Sequence, residues 1–128
     1  TAPANVTVMT NVPPPITWRI ARDALAMAIP LRSSETACGH VTIVGAQRLG
    51  LPLAVTRSVG VADYVEDGKT ALLVEPGDAE AMAEALRRLA ENPDLASRLG
   101  EGARAEAAAR SDLSSWVAYF QGLVEAGW

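Results

Sequence analysis

The stretch that decides the fold spans residues 39–78 and reads GHVTIVGAQRLGLPLAVTRSVGVADYVEDGKTALLVEPGD. A glycine, Gly39, stands directly before a run of helical character that ends at Gly50. Two short apolar runs follow at residues 51–56 and 70–75, each of strand length. Glu66-Asp67-Gly68 before the second run and Pro76-Gly77 after it are strong turn signals. This order predicts a helix followed by two strands.

The residues upstream of that stretch predict two more strands and one helix. Residues 6–10 form a short β-branched run that ends before the proline run at 13–15, and we expect a strand there. Residues 16–24 carry Ile16, Ile20 and Ala24 at a spacing of four, which predicts a short one-faced helix. Residues 25–29 are apolar throughout and stop at Pro30, which is typical of a strand buried on both faces of a parallel sheet.

The residues downstream predict helices only. Asp78 is a natural N-cap for a helix that ends near Asn92-Pro93 and in which Glu84 can pair with Arg88. Its apolar stripe consists of Met82, Leu86 and Leu89. Residues 95–110 predict either a second helix or a helical pair interrupted at Gly100 and Gly102. A last amphipathic helix is expected within residues 111–126, with one side formed by Leu113, Trp116, Val117, Phe120 and Leu123.

Strands that alternate with helices predict an α/β fold. We expect a Rossmann-like parallel sheet of about four strands with helices on both faces, connected by right-handed crossovers. The 128 residues suit a single domain that is long enough to bury a core without disulfides or metal.

Composition narrows the class of protein further. The hydrophobic content of 49% excludes a disordered tail, and a net charge of −4 gives nucleic acid binding little electrostatic support. One cysteine permits no internal disulfide and fits a reducing compartment. No apolar run approaches the ~20 residues that span a bilayer. We therefore expect a cytoplasmic protein with neither a membrane span nor a nucleic acid partner. Because the sequence does not begin with Met, Thr1 is expected to follow a processed or excised segment.

The candidate binding site lies at the carboxyl ends of the predicted strands, where open parallel sheets hold their ligands. Gly39 places backbone amides at the start of a helix, and such a terminus attracts phosphate through unpaired N–H groups and the helix dipole. His40 could add a donor to a diphosphate, or it could be a capping or surface histidine. Cys38 could be an activated thiol, but a small half-buried residue is the commoner case.

Other chemistry-bearing residues favour structural roles. Asp63, Glu66 and Asp67 match no calcium loop, so we expect solvated turn carboxylates and no metal. Trp18 and Trp116 lie on helical stripes, where core packing is the default.

Three motifs taken together resemble a known family. They are GLPLAVT at residues 50–56, VEDGKT at 65–70 and LLVEPGD at 72–78. Their order and gaps are similar to those of the C-terminal domain of glycosyltransferase family four, the retaining group with the GT-B fold. The resemblance continues through the helix and the Leu-Gly-x-x-(Gly/Ala)-Arg segment of residues 79–104. It covers the chain from about residue 5 to the end.

This resemblance implies that the domain binds a UDP- or GDP-linked sugar and needs no further cofactor. In such enzymes the amides of the glycine loop hold the diphosphate, which here implies a site at Gly39, His40, Val41 and Thr42. A Glu-x7-Glu motif supplies one carboxylate to the sugar and one to the ribose, but the matching positions are Ala37 and Gly45. Glu35 lies nearby as a substitute for the first carboxylate. Ala71 also departs from the family, which usually has glycine there.

The resemblance further implies an upstream strand-helix unit with a cationic clamp, preceded by a separate acceptor domain, and this sequence matches neither. We therefore expect a partial donor domain that is inactive alone. It would pair with an acceptor-domain protein, or self-associate through an exposed sheet edge. The alternative is a non-catalytic interaction module or a relic of a glycosyltransferase. A weaker third reading is another nucleotide-sugar enzyme of the same fold, such as a non-hydrolysing epimerase.

Overall fold

A computed structural model describes residues 2–35 and 38–127 of the chain. Within them lie three strands, β1 (Met27–Ile29), β2 (Leu53–Thr56) and β3 (Leu72–Val74). Helix α1 (Pro14–Arg22) precedes β1, and α2 (His40–Leu49) connects β1 to β2. Three helices follow β3, namely α3 (Ala79–Glu91), α4 (Pro93–Arg110) and α5 (Leu113–Glu125).

The three strands form one parallel sheet in the order β1-β2-β3. The central strand pairs Ala54 with Ala28 on one side and with Leu72 on the other. All four residues of β2 are buried, as expected for the middle of a parallel sheet. The predicted α/β class is therefore confirmed.

Helices cover both faces of the sheet, as predicted. Alternate residues of β2 point to opposite faces. Leu53 and Val55 pack in one core cluster with Ile43 of α2, whereas Ala54 packs in a second cluster with Leu89 of α3. Each fully buried Leu, Ile or Val contributes about 1.5–3 kcal/mol to folding, so the two clusters fix the helices to the sheet.

Two predictions about the sheet are wrong. Residues 6–10 form no strand, and all five are exposed; the sheet therefore has three strands within the described residues. Strand β1 lies at the edge of the sheet. It is not buried on both faces, since Ala28 is exposed and nearby Leu25 is 64% exposed. Apolar composition specifies a strand but not whether a second strand lies beside it.

Helix α2 has the predicted bounds because a glycine in the left-handed conformation flanks it at each end. Gly39 has φ 86° and Gly50 has φ 68°, values that side chains other than hydrogen disfavour. Gln47 is buried in this helix and donates from Nε2 to the carbonyl of Tyr64 at 2.7 Å. That bond ties α2 to the turn that follows β2.

Side-chain caps separate α3 from α4. Asp78 accepts a hydrogen bond from the Ala81 N–H at 2.8 Å, which confirms the predicted N-cap. Asn92 ends α3 and accepts from the Leu95 N–H at 2.9 Å to start α4. Glu84 pairs with Arg87, three residues on, rather than with Arg88 as predicted. Both spacings place charges side by side on a helix, so the sequence pattern did not decide between them.

Helix α4 is continuous, which corrects the alternative of a pair interrupted at its glycines. A Cβ at position 100 would lie 3.2 Å from the carbonyl carbon of Gly50 and still closer to its oxygen. A Cβ at 102 would meet the carbonyl of Lys69 in the same way, at 3.3 Å from the carbon. These glycines are therefore close-approach points rather than breaks.

Helix α5 forms as predicted, but its apolar side is not covered. It has no buried residue, and Trp116 is 60% exposed, which corrects the expectation of core packing. Its start is held to α2 by Arg48, which donates to the carbonyl of Ser111 at 3.1 Å and lies 3.9 Å from Asp112. Among the described residues, no helix is both long and apolar enough to cross a membrane.

Candidate functional site

The carboxyl edge of the sheet brings together the loops that follow all three strands. The hydroxyl of Thr56, at the end of β2, accepts the Leu31 N–H at 3.0 Å. The Val59 N–H donates to the carbonyl of Ser34 at 2.8 Å. The loops after β1 and β2 are therefore joined directly, and they border the start of α2.

The N-terminus of α2 has no side-chain cap among the residues that the structure describes. Its N-cap is Gly39, which has no side-chain oxygen, and its first turn contains no acidic residue. The first N–H groups of a helix have no intrahelical acceptor and carry the positive end of the dipole. Val41 in this turn is 82% exposed and Thr42 is half-buried. The geometry can accept an anion here.

His40 lies between this terminus and the turn after β2. Its ring stacks on Tyr64, with the centroids 4.8 Å apart and the planes at 26°. Its Nε2 is buried and has no hydrogen-bond partner among the described residues. His40 is thus neither the capping nor the fully exposed histidine that the sequence allowed.

Ser58 is a candidate residue that the sequence did not single out. It is 4% exposed, and its hydroxyl has no partner within residues 2–35 and 38–127. It lies two residues beyond β2, and its carbonyl accepts the Val61 N–H at 3.1 Å. A serine after a strand carries no distinctive pattern, so only the structure identifies this unused donor at the carboxyl edge.

The remaining predicted site residues are less well placed. Glu35 is exposed, and its N–H donates to the Ser33 hydroxyl at 3.3 Å. Ala37, the position matching the first glutamate of the motif, lies outside the described residues. Cys38 is exposed rather than half-buried.

The position that matches the second glutamate is filled by an aromatic ring. A Cβ at Gly45 would lie 2.5 Å from Cζ2 and 2.7 Å from Cζ3 of Trp18. Trp18 is half-buried against the core cluster that contains Ile43. The expected core role of Trp18 is therefore confirmed, and it depends on the missing side chain at 45.

The carboxylates near residue 65 stabilise a turn. Glu66 pairs with Lys69 at 2.8 Å, and both the hydrogen bond and the charge of Glu66 raise the pKa of Lys69. Asp67 accepts the Leu73 N–H at 2.9 Å and lies 3.5 Å from Arg57. In the part of the chain that the structure describes, no group of three or more His, Cys, Asp or Glu residues is arranged to hold a metal ion.

This three-stranded parallel sheet with helices on both faces defines a Rossmann-like α/β domain. Structures of HepE from Anabaena in complex with UDP and with UDP-glucose superpose on it with TM-scores of 0.77 and 0.75. The identity is 20%, and the match covers 84% of this chain and 29% of HepE. The shared fold is that of the GT-B glycosyltransferases.

The chain belongs to the family described as glycosyl transferases group 1, whose model matches residues 2–106. A D-inositol 3-phosphate glycosyltransferase from a Nocardioides species is 32% identical over 100 residues, which are 78% of this chain and 22% of that protein. A sulfoquinovosyl transferase from Arabidopsis thaliana is 28% identical over 107 residues, which are 77% of this chain and 21% of its own length. The chain thus spans about a fifth of these relatives.

Proposed function

We propose that this chain is the donor-binding, C-terminal domain of a family-four glycosyltransferase and that it binds a UDP- or GDP-linked sugar. The observation that carries this proposal is the N-terminus of α2, uncapped within the described residues, at the carboxyl edge of a parallel sheet and led by Gly39 in the left-handed conformation. The complexes of HepE with UDP and UDP-glucose support the same class of ligand.

The diphosphate would contact the amides of His40, Val41 and Thr42. Two other helices of the domain use side chains at this position, since Asp78 caps α3 and Asn92 caps α4. Within residues 2–35 and 38–127, helix α2 has neither a side-chain cap nor an acidic residue in its first turn. An incoming phosphate would therefore gain the dipole without displacing a carboxylate.

Ser58 and His40 supply further polar atoms at the same edge. The Ser58 hydroxyl and the His40 Nε2 are both buried without a partner among the described residues. A buried donor left unpaired costs about 1–3 kcal/mol, so a ligand that accepts its hydrogen bond recovers that cost. We assign both side chains to the donor site, together with the exposed Glu35 as a weaker candidate for the sugar.

The domain would bind the donor without transferring the sugar by itself. Transfer requires an acceptor held in line with the donor, and orientation of two substrates supplies much of the rate enhancement. The acceptor would be held by a partner protein, and the exposed edge at β1 is the surface that would accept it or a second copy. The exposed free thiol of Cys38 is compatible with a protein that acts in the reducing cytoplasm. Steady glycosyl transfer by the purified chain would overturn the expectation of inactivity.

The second candidate is a non-catalytic interaction module that keeps the fold of a glycosyltransferase. The contact between Trp18 and Gly45 favours it, because the ring fills the space in which the motif would have its second carboxylate. A relic would keep the strands and turns, which serve folding, and lose the ligand.

Calorimetric titration of the purified chain with UDP, GDP and their sugar conjugates decides between the two. Saturable binding of one nucleotide family, weakened by Ser58→Ala and unchanged by Val59→Thr, supports the donor site. Val59 is a suitable control because it is next to Ser58 yet 74% exposed. If none of the ligands binds while the circular dichroism spectrum is that of a folded domain, the donor site is refuted and the interaction module stands.

A further inference from the structure

A second cavity opens at the carboxyl edge, on the α3 side of the sheet. Its volume is about 540 Å³, and its lining includes Pro30, Leu31, Arg32, Thr56, Gly77 and Met82. Ligand pockets are typically 300–1,000 Å³ and occur where the strands of an open sheet end. We propose that this cavity is a separate binding site for a small molecule that combines an apolar ring with a single negative charge.

The walls of the cavity are suited to an apolar ring. Leu31 and Met82 are half-buried and face it together with Pro30, and most of the cavity surface is apolar. The loop after β1 is held in place because the Leu31 N–H donates to Thr56. The cavity is therefore largely formed before a ligand arrives, which lowers the entropic cost of binding.

Thr56 provides one hydrogen bond to the ligand from the end of β2. The residue is 3% exposed, and its Oγ1 accepts from Leu31 at 3.0 Å. A hydroxyl is both donor and acceptor, and within the described residues its hydrogen has no acceptor. A ligand oxygen placed above β2 would accept it.

The charges around the cavity select a monoanion. Arg32 makes no ion pair with residues 2–35 or 38–127, so its guanidinium is available. Of the two lining carboxylates, Glu75 is paired with Arg57 at 2.8 Å and Asp78 caps α3. Because Arg57 neutralises Glu75, Arg32 can offer one charge-assisted hydrogen bond to an anionic group, and within the described residues the lining holds no second free cation to neutralise a diphosphate. The ligand therefore differs in charge from a nucleotide-sugar.

The α3 wall of this site and the α2 terminus lie on opposite faces of β2, and Leu31, which also lines the cavity, packs with the α2-side cluster. Met82 packs with the cluster of α3 and α4, whereas Ile43 of α2 belongs to the other cluster. Occupation of one site does not require the other, so the inference does not depend on the proposed donor function.

The test is an NMR titration of the isotope-labelled full chain with 1-naphthalenesulfonate, which carries an apolar ring and one sulfonate. We expect saturable shifts at the amides of Leu31, Thr56, Gly77 and Ala79. Loss of a charge-assisted hydrogen bond in Arg32→Gln should weaken binding about tenfold. The matched control is Arg98→Gln, an exposed arginine of α4 remote from the cavity, which should bind as the wild type does.

An uncharged analogue completes the design. 1-Naphthalenesulfonamide should bind the wild type about as weakly as the sulfonate binds Arg32→Gln. The Arg32→Gln variant should bind the sulfonamide and the sulfonate with equal affinity. Excess UDP should not displace the sulfonate. Shifts confined to residues 113–125, equal binding by Arg32→Gln and the wild type, or displacement by UDP would each overturn the proposal.

Discussion

The six-membered ring of Trp18 lies in the space that any side chain at position 45 would occupy. A Cβ there would lie 2.5 Å from Cζ2, and real Cβ atoms do not approach a ring so closely. Helices α1 and α2 are therefore in contact where the Trp18 ring packs against the backbone of Gly45. A substitution at 45 changes the packing of α1 before it changes any binding site.

Gly45→Ala should destabilise the domain by about 1–3 kcal/mol, because the added methyl group overpacks against Trp18. In a Trp18→Ala background the same substitution should be neutral or stabilise by up to about 1 kcal/mol, since alanine is the better helix former. Urea unfolding of the four proteins measures the difference as a double-mutant cycle. Equal effects of Gly45→Ala in both backgrounds would show that the ring is not the obstacle.

Gly100→Ala should destabilise by about 1–3 kcal/mol, because its methyl group would meet the backbone carbonyl of Gly50, which cannot rotate away. Gly122→Ala is the matched control, since a Cβ there has no neighbour within 4 Å. That change should raise helix content and gain about 0.5–1 kcal/mol locally. Urea midpoints and far-ultraviolet circular dichroism check both; similar losses for the two variants would contradict the close contact.

Val41→Asp should separate folding from ligand binding. A carboxylate in the first turn of α2 interacts favourably with the helix dipole and should stabilise by about 0.3–1 kcal/mol. The same charge would repel a diphosphate and weaken UDP or GDP binding at least about tenfold. Thermal unfolding and calorimetry on one sample report the two effects. Nucleotide binding at wild-type strength would place the diphosphate elsewhere.

The pKa of the Asp112 carboxyl should lie below its ordinary value of 3.8. The hydrogen bond from the Ser114 hydroxyl lowers the pKa of this carboxyl most, and the nearby backbone N–H groups and the Arg48 charge lower it further. Because the pKa of Asp112 is lower in the folded than in the unfolded protein, the ionised carboxylate stabilises the fold at any pH above the unfolded-state pKa. That stabilisation is lost as the pH falls through the folded-state pKa. The helix content of α5 should therefore decline on acidification below 3.8.

NMR titration of the Asp112 carboxyl carbon measures this directly. Ser114→Ala should raise the midpoint, because it removes the largest cause of the shift. Asp112→Asn should abolish the acid-dependent change at the start of α5. A midpoint at or above the ordinary value in the wild type would contradict the hydrogen bonds described here.

Local signals explain which elements could be predicted from the sequence. Gly39 and Gly50 adopt the left-handed conformation, which few other residues tolerate, so they marked both ends of α2 correctly. Asp78 marked the start of α3 through its side-chain cap, and Asn92-Pro93 marked its end. These signals act over three or four residues and do not depend on the rest of the fold.

Features that depend on distant residues could not be predicted. Residues 6–10 have the β-branched composition of a strand, but a strand also requires a neighbour, and none pairs with them in the described part of the chain. Whether Gly100 breaks a helix or approaches Gly50 depends on a residue fifty positions away. The donor residues Gly39, His40, Val41 and Thr42 remain predictions, and the buried Ser58 hydroxyl was visible only in three dimensions.

The contacts of α4 with the carbonyls of Gly50 and Lys69 also order the events of folding. These two carbonyls lie in the connections that precede β2 and β3. The surface against which α4 packs is therefore complete only after both connections have folded. Helix α4 can complete this packing only once both connections are in place, however readily its alanine-rich sequence forms a helix in isolation. During synthesis from the N-terminus, the ribosome releases residues 50 and 69 before residues 100 and 102, so the order of translation matches the order in which the parts are needed.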